Sequence, residues 1–234
     1  MNKSVIRLDQ VSKSYEMAGQ AVHALKPISL TIEQNEYVAI TGHSGSGKST
    51  LLNVLGCLDE PSGGNYILNG VNIGDCDEIA LSQVRNQSVG FIFQSFNLLP
   101  KASVIENIQL PLVYRGVSKK SRLEKAAYYL EKVGLADKYS RLPNQLSGGQ
   151  RQRIAIARAL VTEPAILLGD EPTGNLDSHT TAEIMQLFDD LHREGQTLLL
   201  VTHEKEITAH CKRVLRLKDG ELVEDHYQEK HCYA

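Results

Sequence analysis

Four short apolar runs, Tyr37–Thr41, Val89–Gln94, Ala165–Asp170 and Thr197–Thr202, punctuate a chain otherwise mixed in character. Runs of this length without strict alternation predict buried parallel strands. Three of them lead within a residue or two into glycine, acid or histidine, as strands do when their carboxyl ends carry chemistry. Helical periodicities lie between them. Lys48–Leu58 follows a glycine-rich loop directly. Ser121 and Glu124 predict a capping box for a helix that aligns Leu123, Ala126, Ala127, Leu130 and Val133 and stops at Gly134. Ile184, Leu187, Phe188 and Leu191 form a second stripe, ending at Gly195. The first thirty-odd residues alternate instead, and Val5–Leu8, Val22–Leu25 and Ile28–Ile32 predict an antiparallel β layer. Asp219-Gly220, between Arg213–Leu217 and Glu221–Asp225, is a type I′ hairpin signal. From about Ser95 to Gln145 the strand–helix alternation stops. With the helix that follows, this predicts an inserted helical lobe over about residues 95–160, within one α/β domain spanning residues 1–234.

Composition narrows the partners. A hydrophobic share of 41% and a charged share of 23% are ordinary for a globular chain of 234 residues, long enough to bury a real core. The net charge of −3 gives no reason to expect nucleic acid or an anionic lipid surface. The longest aliphatic stretches, Ala165–Leu168 and Leu198–Val201, are strand-sized, and Met1–Asp9 has no apolar core of signal-peptide length. Cys57, Cys76, Cys211 and Cys232 form no CxxC pair, so free thiols in a reducing compartment are expected. The expectation is a cytoplasmic chain that reaches any membrane through another protein.

Gly42-His43-Ser44-Gly45-Ser46-Gly47-Lys48-Ser49-Thr50 fits G-x-x-x-x-G-K-[ST] between a predicted strand and a predicted helix. The glycines let successive N–H groups converge on phosphate oxygens, and the helix start adds positive dipole. Lys48 supplies a point charge for the β/γ-phosphates, and Ser49 offers a hydroxyl to Mg²⁺. The alternative is a glycine-rich turn with no ligand. Even read as a nucleotide site, the loop does not separate kinases, GTPases, helicases and transport ATPases.

The run Ile166–Glu171 ends in two adjacent carboxylates. Beside a phosphate loop, Asp170 would stand near the metal and Glu171 one residue further on, where a base could orient the attacking water. An exposed acidic turn is the competing explanation. Gln94 and His203 end strands in the same way; each could touch the γ-phosphate, or lie idle on the surface. Tyr15, after the first strand, could stack on adenine or simply cover the β layer.

Leu146-Ser147-Gly148-Gly149-Gln150 precedes a clear helix, Arg151–Leu160, with Ser147 as its N-cap and two glycines leaving N–H groups uncovered. A second anion cradle in one chain suggests two copies packed head to tail, each completing the other's site. A glycine-rich helix start is the plainer reading, but it leaves the position just before the acid-pair strand unexplained.

With this pentapeptide, the order Tyr15, Gly42–Thr50, Gln94, Leu146–Gln150, Asp170-Glu171, Asn175-Leu176-Asp177 and His203 resembles the nucleotide-binding domain of ABC transporters over essentially the whole chain. The resemblance implies a P-loop NTPase core and an ATPase using ATP and Mg²⁺. It implies that Tyr15 stacks on adenine, that Gly42–Thr50 holds the phosphates and that Gln94 binds near Mg²⁺ and couples the site to the helical lobe. It further implies that Ser147–Gln150 caps a partner's γ-phosphate, that Glu171 is the base, that Asn175–Asp177 crosses a dimer interface and that His203 is a switch. The partners implied are a second copy and an integral membrane permease. Gly169 departs from the alanine that many relatives carry before the acid pair.

Gln94–Pro100, Glu106-Asn107-Ile108, Leu110-Pro111-Leu112 and Asp170–Asp177 further resemble the macrolide-exporter and lipoprotein-release (MacB/LolD) branch. That branch moves a permease with a large external domain. No regulatory domain is expected beyond the Asp219-Gly220 hairpin. The rivals are an ABC ATPase steering cell-wall remodelling through a membrane partner and one acting on nucleic acid. The second is disfavoured by the charge and by the lack of a basic insertion. A P-loop kinase or GTPase leaves Leu146–Gln150 unexplained.

Overall fold

A computed structural model describes residues 3–17 and 19–228. Its elements run β1 (Ser4–Met17), β2 (Gln20–Glu33), β3 (Tyr37–Thr41), α1 (Lys48–Leu55), β4 (Gly63–Leu68), β5 (Val71–Asn72), α2 (Glu78–Ser88) and β6 (Val89–Phe93). Then come three helices, α3 (Val104–Tyr114), α4 (Lys119–Lys132) and α5 (Gly148–Leu160). The chain closes with β7 (Ile166–Asp170), α6 (Ser178–Arg193), β8 (Thr197–Val201), α7 (Lys205–His210), β9 (Arg213–Lys218) and β10 (Glu221–Tyr227).

The strands form two sheets. One is antiparallel, ordered β2-β1-β4-β5; the other is ordered β10-β9-β3-β8-β7-β6, with β3, β6, β7, β8 and β9 parallel and β10 antiparallel at its edge. The period-two geometry of a strand sends alternate residues to two different cores. Val38, Ile40, Leu199 and Val201 pack with Leu51 and Leu55 of α1 and with Ile6, Leu30 and Tyr66 of the smaller sheet. Ala39, Leu198, Leu200 and Leu167 face the other way, toward Ile156 of α5, Phe188 of α6 and the helices that follow β6. Helix α1 is therefore held between the sheets. Each fully buried Leu or Ile contributes about 1.5–3 kcal/mol relative to exposure.

Several expected boundaries move. The two N-terminal segments Val22–Leu25 and Ile28–Ile32 belong to one continuous strand. Pro27, which has no N–H to donate, sits at a bulge where Val11 pairs with Ile28 but Lys13 pairs with Leu25. The neighbouring Lys26 N–H turns away to donate to Gly220 O at 2.9 Å. The capping box expected at Ser121 does not form. Ser118 caps α4 instead, accepting from Ser121 N–H, because the chain re-enters the helix three residues earlier. Helix α1 stops at Leu55, short of Leu58, and Cys57 adopts a left-handed backbone (φ 54°). The strands β6, β7 and β8 each lose one terminal residue from their expected spans. Cys57 and Cys211 are buried, and burial pushes the Cys57 thiol up to about 11. Cys232 lies outside the described residues.

Candidate nucleotide-binding site

Parallel pairing brings the carboxyl ends of β3, β7 and β8 to one end of the sheet, with β6 beside them. A cleft of about 950 Å³ opens there. Its walls include Gly42, His43, Ser44, Gly45, Gly47, Lys48, Ser49 and Thr50, together with Gln94, Asp170, Glu171 and His203. Val22–Ala24 of β2 and the Asp219-Gly220 turn complete the rim. The topology thus collects side chains from positions 22 to 220 of the sequence.

Close packing explains two of the loop's glycines, while Gly45 has open space and a positive φ of 77°. A Cβ at Gly42 (φ 149°) would stand 2.4 Å from Leu217 O and 2.6 Å from Ser46 Oγ. One at Gly47 (φ 100°) would stand 2.8 Å from Ala24 O. Gly47 is also the N-cap of α1 and offers no side-chain acceptor, so the first N–H groups of that helix remain available to an anion. Lys48 Nζ donates to Gly42 O at 2.7 Å and His43 O at 2.9 Å, which draws the ammonium over the loop. Ser46 is fully buried, and its Oγ makes no protein hydrogen bond. From outside, Gly220 N–H donates to Ser46 O at 3.1 Å and His43 Nε2 lies 3.6 Å from Asp219 Oδ1. Both turn residues have positive φ, 50° at Asp219 and 78° at Gly220, as a type I′ turn requires. The sequence marks this hairpin, but not its seat on the phosphate loop.

Asp170 ends β7 half-buried. Burial and the neighbouring Glu171 charge raise its carboxyl above the ordinary aspartate value, while Lys48 pulls the other way. Glu171 adopts φ 43°, a left-handed backbone that costs a non-glycine residue about 1–2 kcal/mol. Its N–H donates to Val201 O at 2.9 Å, and its Oε1 lies 2.7 Å from His203 Nδ1. Gln94 is held by its surroundings: Asn175 Nδ2 donates to its carbonyl at 3.0 Å, and Gly174 leaves room for its side-chain amide.

Two expected parts are not in the wall of the cleft, although Tyr15 stands close to Thr50 at its edge. Tyr15 is not in the cleft wall; its hydroxyl donates to Asp59 Oδ2 at 2.6 Å, and Lys13 Nζ stands 4.9 Å from its ring centre. Ser147, Gly148, Gly149 and Gln150 also line no part of the cleft. They form a complete capping box, with Ser147 Oγ accepting from Gln150 N–H and Gln150 Oε1 accepting from Ser147 N–H. The two glycines lie against Leu176 and Thr180 near the start of α6.

The donor set suits a magnesium ion. Among the described residues no group of three or more His, Cys, Asp or Glu gathers as a metal cage. Magnesium does not need one, since it is commonly held by one or two carboxylates plus phosphates and water. Ser49 and Asp170 offer a hydroxyl and a carboxylate in the same cleft. Among the described residues no helix is long and apolar enough to cross a membrane.

Known proteins agree with this geometry. The family described as ABC transporter matches residues 25–174. The ABC transporter ATP-binding protein YvrO of Bacillus subtilis is 48% identical over 221 residues, covering 94% of this chain and 96% of that one. The macrolide export ATP-binding/permease protein MacB of Aggregatibacter actinomycetemcomitans is 47% identical over 222 residues. That match covers 95% of this chain but only 34% of MacB, so this chain spans about a third of it. Among solved structures, the ATP-binding cassette MJ0796, dimeric in a post-hydrolysis state with ADP and Pi, superposes with a TM-score of 0.87. It is 40% identical, and the match covers 96% of this chain and 99% of that one. On its motifs, its fold and relatives nearly half identical along almost its whole length, the chain belongs to the ABC transporter family, as an ATP-binding component that hydrolyses ATP.

Proposed function

We propose that two copies of this chain close head to tail over two ATP molecules and drive a separate membrane permease. The observation that carries the reading is the separation of Ser147–Gln150 from the cleft holding Lys48, Asp170 and Glu171 of the same chain. A helix start outside its own chain's cleft, where the capping box takes up the Ser147 and Gln150 N–H groups but not those of Gly148 and Gly149, suits a neighbour's γ-phosphate.

Within one site, Gly42–Thr50 would wrap the phosphates, Lys48 would swing from its loop carbonyls to the β/γ-oxygens, and Tyr15 would meet adenine. A bound Mg²⁺ would neutralise phosphate charge, held by Ser49 and Asp170 with Gln94 beside them. Glu171 would accept the proton of the attacking water, and His203, already 2.7 Å from that carboxylate, would hold it in place and sense the γ-phosphate. Asn175–Asp177 would lie at the interface between copies.

The permease reading has its own support. A second cleft, of about 680 Å³, lies between α2, β6, α3 and α5 and includes Phe91, Leu110 and Pro111. Tyr114 at its rim is 79% exposed, and Ile79 on α2 is 71% exposed. Exposed apolar surface of this kind suits a protein partner. MacB carries its permease in the same chain; here the partner would be separate, placing this chain on the cytoplasmic face of a membrane. Macrolide-export or lipoprotein-release work is the branch we favour.

Glu171→Gln tests the core of the proposal. The variant should keep ATP affinity, lose turnover by about a hundredfold or more and run as a dimer with ATP on size-exclusion chromatography. A purely monomeric elution with ATP would refute the shared site.

A further inference from the structure

Beyond Gln94 the chain doubles back through two left-handed residues, Phe96 (φ 61°) and Asn97 (φ 49°). Asparagine tolerates this region; phenylalanine does so only under constraint. Local backbone bonds are sparse here: Phe96 N–H donates to Phe93 O at 3.2 Å and Asn97 N–H to Ser95 O at 2.6 Å.

The constraint comes from α5. Arg158, in its last turn, donates from Nη1 to Asn97 O at 2.6 Å and from Nη2 to Phe96 O at 2.9 Å. Arg151, two turns earlier on the same face, lies 5.0 Å from the Phe96 ring centre. The helix also grips the other side of the site, since the fully buried Gln152 donates to Pro172 O, next to Glu171, at 2.6 Å. The first turn of that helix is Gly148–Gln150.

We infer that Arg158 is a positioning residue of the ATPase: its forked guanidinium fixes the left-handed turn that aims Gln94, tying α5 to the chain's own hydrolysis site. This deepens the shared-site reading and rests on it. One planar group spanning two successive carbonyls is a task for arginine; an ammonium of the same charge cannot make the fork. Movement of the first turn of α5 against a partner's nucleotide would then reach Gln94 through a rigid helix.

A double-mutant cycle on the whole chain tests this. Wild type, Arg158→Lys, Gln94→Ala and the pair are compared for kcat and for Mg-ATP affinity by titration. Arg158→Lys should keep affinity within about twofold and lower kcat about tenfold, with no more than about a further twofold when added to Gln94→Ala. Additive losses, an unchanged kcat in Arg158→Lys, or full turnover in Gln94→Ala would each overturn the proposal.

The chain has no tryptophan, so Phe96→Trp places a sole tryptophan, excitable apart from the tyrosines, on the turn. Its anisotropy should fall when Arg158→Lys is added, with the melting temperature unchanged; an unmoved anisotropy counts against the inference. A monomeric Glu171→Gln alongside an intact coupling between Arg158 and Gln94 would strike the shared site alone.

Discussion

At the scale of single residues, the site holds opposing preferences in a small space. Asp170 is driven toward its neutral form by burial and by Glu171, and Lys48 only partly offsets this. An acid whose folded pKa lies above its unfolded value costs nothing while both states are protonated, and costs stability as pH rises through the folded value. Asp170→Asn should therefore raise the melting temperature of the nucleotide-free, magnesium-free protein at pH 7. The gain should vanish below about pH 3.9, the unfolded aspartate value. Differential scanning calorimetry across that range reads it directly. The departure at Gly169 is local too. A Cβ there would stand 2.7 Å from Leu200 Cδ2, so Leu200 occupies the room that an alanine would need.

At the scale of elements, sequence patterning reached several features that a local rule governs, although a capping box forms at Ser103 and Glu106 and not at Ser121. The glycine loop, the acid pair, the N-cap at Ser147 and the Asp219-Gly220 turn each announce themselves within a few residues. The short strand β5 and the helices α2 and α7 do not, because they carry too few periodic apolar positions to signal themselves. Arg158 was illegible for a different reason. In sequence it is one cation in a helix; its meaning lies in two carbonyls sixty-odd residues away.

Arg213 is similar. It forms a two-bond fork with Asp225 across the β9–β10 ladder, reaches Glu36 at the entrance to β3 at 2.9 Å, and is almost completely buried. Removing the cation strands the Glu36 carboxylate in a poorly solvated place, while Asp225, 36% exposed, keeps its water. Arg213→Met should thus destabilise the chain by about 3 kcal/mol, seen as a lower midpoint in urea at unchanged slope.

At the scale of the whole molecule, fold class and family were legible because the motifs occur in a fixed order along the chain. The geometry of the cleft was not, since it depends on which strands become neighbours. The central strand, β3, pairs only with β8 and β9, more than 150 residues later, and the phosphate loop it carries is braced by Gly220. This topology orders events during synthesis. Chains emerge from the ribosome amino end first, so Gly42–Thr50 is exposed to the cell long before its sheet neighbours or its brace exist. The ATPase comes into being only after the β9–β10 hairpin is made and settles onto a phosphate loop synthesised far earlier. A ribosome that stops short of that hairpin releases a chain carrying every nucleotide-binding motif, with β3 unpaired on its β9 side and the phosphate loop without its Gly220 brace.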